Sequence, residues 1–322
     1  MYKFDMGLRY MNFQFLTQVC MFLSAFAHAR DSRPLAAHQG TDQPKVTQVE
    51  ASLADKNRPD SKLILKDLCV KQLSTFLGKN SEAKLVQACA EAKKLEVCQS
   101  HKGHPIFHYD KNSVAPEAKK ILVFSLIHGD ETDAGTVGRY WMERLHEISP
   151  RNHWRIVPML NPDGVLLKTR TNANKIDLNR NFPTRDWDDK ALHYWRAQTK
   201  SNPRRFPGSE AASESETKCA LKHIEEYEPN FVISIHTPLN VLDYDGPKVK
   251  KPNYSYLPWH SLGHFPGSLG RYMWFERTVP VLTMELKDHM PKSYEPFEKL
   301  HDVIGQLVKY EIHSPQNKQT AN

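Results

Sequence analysis

The sequence predicts an α/β fold: a mixed, largely parallel central sheet covered by helices on both faces, with a small N-terminal helical segment in front. Three observations carry this. The runs ILVFSLIH (121–128), FVISIH (231–236) and VPVLTMEL (279–286) are apolar without alternation, as strands buried on both faces are. Amphipathic stretches of helical length separate them, and strand–helix alternation builds a parallel sheet. The chain has 322 residues, 39% hydrophobic and 25% charged, the size and mix of one large domain with a small appendage.

The elements follow in chain order. Residues 1–29 read as a secretory leader: Lys3 and Arg9 precede the mostly apolar run 13–26, and Ala27-His28-Ala29 supplies a small-x-small cleavage pattern. A short membrane anchor is the competing reading. Residues 30–60 are polar and read as a flexible linker. Residues 61–100 form a small helical, cysteine-containing segment of two helices, the second opening at Ser81. The body, 103–313, holds strands at 104–110, 121–128, 153–160, 231–236 and 279–286. Its helices fall at 132–149, 213–228 and 295–312. Residues 314–322 read as a disordered tail.

An exported chain folds in an oxidising compartment, so Cys69, Cys89, Cys98 and Cys219 are expected in two disulfides, at least one of them within 69–98. Four cysteines allow three pairings, and the sequence does not choose among them. A zinc site built from them is the weaker reading, because no CxxC pair is present. The net charge of +7 favours anionic partners by long-range attraction. Nucleic acid, membrane surface and anionic cell-wall polymer all fit at that level. No internal stretch approaches the ~20 apolar residues of a membrane span.

His128 stands at the end of a central strand, where open α/β sheets gather ligands. Glu131 follows three residues later. An imidazole and a carboxylate across such a turn can face one metal, and a catalytic zinc takes three protein ligands and keeps one position open. His236, the last residue of FVISIH, offers the third ligand from a second buried strand. Against this stands an ordinary surface His–Glu pair; two strand-terminal histidines, each after a buried run, favour the metal. A zinc hydrolase also needs a base for its water. Glu285 lies near the end of another apolar strand, where a carboxylate is unfavourable unless it faces a polar site. The alternative is an outward-facing residue beside Lys287 and Asp288. In the turn-rich stretch 161–183, Arg170, Asn179 and Arg180 can hold a carboxylate, arginine as a bidentate fork. A solvated basic loop is the competing reading there.

Six motifs then occur in one order: HGDE (128–131), NPDG (161–164), DLNRNFP (177–183), SIHTP (234–238), PGSLG (266–270) and TMEL (283–286). With them the chain resembles the zinc metallocarboxypeptidases of the carboxypeptidase A superfamily, and within these the bacterial murein peptide amidase A branch, over about residues 103–312. The resemblance implies that His128, Glu131 and His236 bind one zinc ion, the His₂Glu set already known for carboxypeptidase A. It implies that Glu285 is the general base and acid and that Arg170 polarises the scissile carbonyl. Asn179 and Arg180 would bind the free terminal carboxylate, and the PGSLG block puts Ser268 and Leu269 at the substrate. One departure stands out. The digestive relatives carry a mobile tyrosine upstream of the base; here Ser261 to Gly263 fall in its place, with Tyr256 and Tyr272 off-register. The specificity position falls near Leu269 or Gly270, both uncharged, which argues against a preference for C-terminal Lys or Arg.

The expected function is an exported zinc amidase of the bacterial periplasm or cell envelope that hydrolyses the γ-D-glutamyl–meso-diaminopimelate bond of murein peptides. It is expected to act as a monomer, with a murein peptide substrate, no nucleic-acid partner and no stable membrane insertion once the leader is removed. The alternative is a zinc carboxypeptidase for apolar C-termini of ordinary peptides. A catalytically inactive murein-binding relative is a third reading.

Overall fold

The structure is a computed structural model and describes residues 61–77, 82–287 and 293–309. The expected leader (1–29), linker (30–60) and tail (314–322) lie outside the described residues, as do Ser81 and the end of the helix expected to reach residue 312.

Six strands form one sheet: β1 (Tyr109–Lys111), β2 (Lys120–Ser125), β3 (His153–Val157), β4 (Phe231–His236), β5 (Val241–Asp245) and β6 (Val281–Glu285). Their order is β1-β3-β2-β4-β6-β5. The four inner strands run parallel, and antiparallel strands close both edges. The inner strands are apolar on both faces because both faces are covered. On one side Ile121, Val123, Ile233, Leu282 and Met284 meet Val137, Trp141 and Leu145 of α3 (Thr132–Glu147) and Phe297, Leu300 and Ile304 of the last helix (Glu295–Leu307). On the other, Leu122, Phe124, Val232 and Val281 meet Ala220 and Ile224 of the helix Ser215–Tyr227. No helix among the described residues is long and apolar enough to cross a membrane.

The small N-terminal segment is present as α1 (Ser61–Leu73) and α2 (Glu82–Ala90). Cys69–Cys89 staples the two helices together, and Cys98–Cys219 ties the segment's end to the helix Ser215–Tyr227. Both pairings agree with the expected oxidised state, one of them within 69–98. Arg139 of α3, itself buried, donates to the C-terminal carbonyls of Leu73 (3.3 Å) and Phe76 (2.7 Å) and pairs with Glu143 at 2.7 Å. A cation at a helix C-terminus takes up carbonyls that the helix leaves without partners.

Several boundaries differ from the expectation. The strand expected over 121–128 ends at Ser125, and Leu126 takes a left-handed φ of 52°. The chain therefore leaves the sheet before His128 and carries it into a turn. The strand expected at 104–110 shrinks to Tyr109–Lys111, preceded by isolated bridges at Gln99–Pro105 and Lys93–His108. The second helix stops at Ala90. Strand β5 and the helix Trp187–Ala197 were not expected at all.

Candidate metal centre and active site

His128 and Glu131 sit on the turn after β2, and His236 is the last residue of β4. Adjacent parallel strands bring the two strand ends side by side. His128 Nδ1 lies 2.7 Å from Glu131 Oε1, His236 Nδ1 lies 3.0 Å from Glu131 Oε2, and the two Nδ1 atoms are 3.1 Å apart. All three residues are buried.

The opposite ring nitrogens are engaged elsewhere. His128 Nε2 stands 3.1 Å from Asp177 Oδ1, and His236 Nε2 stands 2.8 Å from Ser234 Oγ. Burial would raise the Asp177 carboxyl, but Arg170 (Nε to Oδ2, 3.0 Å) and His128 hold it well below the usual carboxylate range. It is therefore an ionised acceptor for a proton on His128 Nε2, the tautomer that frees Nδ1 for a metal. The Glu131 carboxyl is likewise held low, its burial outweighed by His128 and His236. Two Nδ1 atoms and a carboxylate thus converge on one point, a donor set that binds a metal once both imidazoles are neutral. Ligand atoms around a tetrahedral zinc with ~2.0–2.1 Å bonds lie roughly 3.3 Å apart. The spacing, the donor types and the outward-facing Nε2–H partners fit a metal ion.

The turns that hold these residues explain two motifs. Asn161 caps the short helix Pro162–Leu167 by accepting from Gly164 N (2.9 Å), with Pro162 in the first turn, where its missing N–H costs nothing. A Cβ on Gly129 would lie 2.0 Å from the Gly164 carbonyl carbon, so HGDE and NPDG pack backbone on backbone and only glycine fits. Asp163 in turn accepts from Ser100 Oγ, Lys102 N and the His104 ring, which fastens the end of the N-terminal segment to this turn.

A cavity of about 250 Å³ opens beside the cluster. Glu285 of β6 is the register partner of His236, so both project from one sheet face; its Oε2 accepts from Leu239 N at 3.4 Å. Arg170 reaches Glu131 Oε1 at 3.5 Å besides its bond to Asp177. Asn179 accepts from Leu269 N through Oδ1 (2.8 Å), leaving its amide nitrogen for the cavity it lines. Arg180 is buried, with its guanidinium carbon 4.5 Å from the centre of the Phe265 ring and its Nε without a hydrogen-bond partner. Ser268 lines the cavity and caps the turn that follows it. Leu269 does not line it: its side chain packs into the apolar core, and its backbone holds Asn179.

Sequence reasoning missed several residues of the wall. Arg205, Phe265, Asp243 and Asp245 all line the cavity. Beside Leu269 and Gly270, where an uncharged specificity position was expected, the wall carries two carboxylates. Gly270 is neutral, but a Cβ there would lie 2.1 Å from Asp245 Oδ2; the space is taken by a carboxylate arriving from β5. The signal was available in VLDYD (241–245), where two acids at i and i+2 share one face of a strand. Neither Tyr256 nor Tyr272 lines the cavity; they pack against Phe297 and Phe182.

The chain is similar to known proteins. The chain is 32% identical to murein peptide amidase A of Vibrio campbellii over 176 residues, 51% of this chain and 68% of that protein. It is 31% identical to murein peptide amidase A of Escherichia coli K12 over 143 residues, 44% of this chain and 57% of that one. Carboxypeptidase A from Helicoverpa armigera has a similar fold, with a TM-score of 0.53 at 17% identity over 77% of this chain and 79% of its own. The peptidase M14 zinc carboxypeptidase profile matches residues 82–263. That match spans more than half of the chain, and the chain belongs to the zinc carboxypeptidase family.

Proposed function

We propose that this zinc peptidase hydrolyses the γ-D-glutamyl–meso-diaminopimelate bond of murein peptides. The observation that carries the reading is one cavity with the His128–Glu131–His236 cluster and Glu285 at one end and Asn179 and Arg180 beside them. The amidases of V. campbellii and E. coli support the choice of murein peptide.

His128, Glu131 and His236 would hold one zinc ion, which supplies a Lewis acid and lowers the pKa of bound water towards ~7. Glu285 accepts a proton as water attacks the amide carbon and passes it to the departing nitrogen. Arg170 meets the carbonyl oxygen as it becomes negative. Asn179 and Arg180 hold the free α-carboxylate next to the scissile amide, and Phe265 keeps solvent off one face of the arginine, which strengthens the contact. Ser268 borders the same end. Two disulfides support an oxidising compartment, consistent with export to a bacterial periplasm or cell envelope. Asp243 and Asp245 in the wall disfavour the alternative of an enzyme for apolar C-termini.

The test is incubation of zinc-loaded protein with L-Ala-γ-D-Glu-meso-diaminopimelate, read by mass spectrometry for free diaminopimelate. The expected result is release from this peptide and not from its C-terminally amidated twin. Glu285→Gln should keep zinc and lose ~10²-fold or more of turnover, the size of a general-base contribution. A zinc-loaded enzyme that spares the γ-linked peptide and trims apolar ends of ordinary peptides would overturn the reading.

A further inference from the structure

The disulfide between Cys98 and Cys219 has an imidazole beside it. Cys98 Sγ stands 3.6 Å from His223 Nε2. His223 is fully buried, and its other nitrogen, Nδ1, has no hydrogen-bond partner among the described residues. Buried polar groups are seldom left so poorly satisfied. A disulfide sulfur has no proton to donate and no charge to pair, so the ring gains little from its neighbour. Burial, with His108 and Arg155 nearby, holds the His223 pKa down to about 2. The ring is therefore neutral and keeps a lone pair.

The three side chains have the composition and spacing of a metal site. Cys219 and His223 are four residues apart on the helix Ser215–Tyr227 and so share one of its faces. Cys98 comes to them from the N-terminal segment. Their ligand atoms all lie within 4.8 Å of one another. Sulfur and nitrogen on one tetrahedral zinc lie roughly 3.6 Å apart, and two sulfurs roughly 3.8 Å. The first spacing is already present. With Cα atoms 4.7 Å apart, freed thiolates reach the second by turning about their Cα–Cβ bonds. Two thiolates and an imidazole suit zinc and not magnesium or calcium, which seek oxygen. The pair is also approachable. Val97 and Lys218, chain neighbours of the two cysteines, line a groove of about 440 Å³. Lys218, Lys222 and Arg277 there face one acid, Glu225, and a surplus of cations draws in an anionic reductant.

We propose that Cys98, Cys219 and His223 form a second zinc site, opened by reduction of their disulfide. A phosphine reductant gives two electrons to the S–S bond and leaves as its oxide. Water supplies the oxygen of that oxide and the two protons that go to the sulfurs. Zinc then displaces those two protons and takes the Nε2 lone pair of the neutral ring. The zinc-bound form still ties the N-terminal segment to the helix Ser215–Tyr227, so the link persists under conditions that break the disulfide.

The test reduces the full chain with an anionic phosphine, removes the excess and titrates the product anaerobically with cobalt, which stands in for zinc. Cobalt bound by thiolate gives a charge-transfer band in the near ultraviolet. Cobalt on His128, Glu131 and His236 gives none, because that cluster holds no sulfur. The readout is therefore blind to the first site. Three variants accompany wild type: Cys98→Ser/Cys219→Ser, Cys69→Ser/Cys89→Ser and His223→Phe. Phenylalanine fills the space of a ring whose Nδ1 has no partner to lose, and His223→Gln serves as a second version. Circular dichroism and melting check the fold of each.

Reduced wild type is expected to show the band, saturating at one sulfur-bound ion per chain, and the unreduced chain to show none. Cys69→Ser/Cys89→Ser should keep the band, and Cys98→Ser/Cys219→Ser should lose it. The His223 variants should bind this cobalt at least ~100-fold more weakly, since even partners behind metal ligands are worth ~10–100-fold. Added zinc should bleach the band. A folded, reduced wild type without the band overturns the proposal, as does a disulfide that is reduced only on unfolding. So does a band that follows Cys69 and Cys89, or full affinity in a folded His223 variant.

Discussion

At His128 the ring's Nε2 faces Asp177, a residue with no solvent exposure that also carries Arg170 and caps the Leu178–Arg180 turn. Asp177→Asn keeps the shape but removes the ionised acceptor. We expect zinc affinity to fall ~10–100-fold, as for other partners behind metal ligands; competition against a chromophoric chelator measures it, and an unchanged affinity would mean that His128 is oriented by something else. Asp245 makes a separate prediction. Its pKa is raised, so between the ordinary carboxylate range and about 7 the folded chain holds a proton that the unfolded chain has lost. Stability therefore falls as pH rises through that window, and the penalty is complete above it. The groups that face Asp245 are Asp243 on its own strand and His264 on the covering loop. Asp245→Asn should raise the melting temperature by several degrees at pH 8 and by little at pH 4; equal shifts at both values would show that the buried charge is not the cause. At this scale the sequence was legible where a polar residue interrupts an apolar run, as at His128, His236 and Glu285. Asp177 was passed over inside DLNRNFP because its contact with His128 joins residues 49 apart in the chain.

Among the elements, the parallel strands were legible because burial on both faces removes alternation. β5 was not: VLDYD mixes two acids into a short edge strand, and those acids are lodged in a cavity instead of solvent. The helix Trp187–Ala197 was missed for a related reason. Only Trp187 and Ala191 of it are buried, too few to mark an apolar stripe. Disulfide pairing could not be read, because it depends on how α1, α2 and the helix Ser215–Tyr227 are placed. The observed pairs enclose very different lengths of chain, 20 and 121 residues. On loop length alone they stabilise by about 3 and about 5 kcal/mol. Removing Cys98–Cys219 by paired serine substitutions should lower the melting temperature more than removing Cys69–Cys89. The reverse order in calorimetric melts would show that local packing of the N-terminal helices outweighs loop entropy.

For the whole molecule, the motifs and their order disclosed the family, while charge alone did not separate one anionic partner from another. The fold places residues distant in sequence on one wall, and the longer disulfide divides them. Chain 98–219, closed by that bond, is a covalent ring. His128, Glu131, Arg170, Asn179 and Arg180 belong to the ring, whereas His236, Asp243, Asp245 and Glu285 belong to the tail that leaves it. The cavity is thus a seam between ring and tail. A protease that nicks the ring once, for instance at the exposed turn around Lys200, opens it without releasing a fragment. The two halves remain one molecule until a thiol reductant separates them, so in a protease-rich compartment a single backbone cut need not separate the proposed metal ligands.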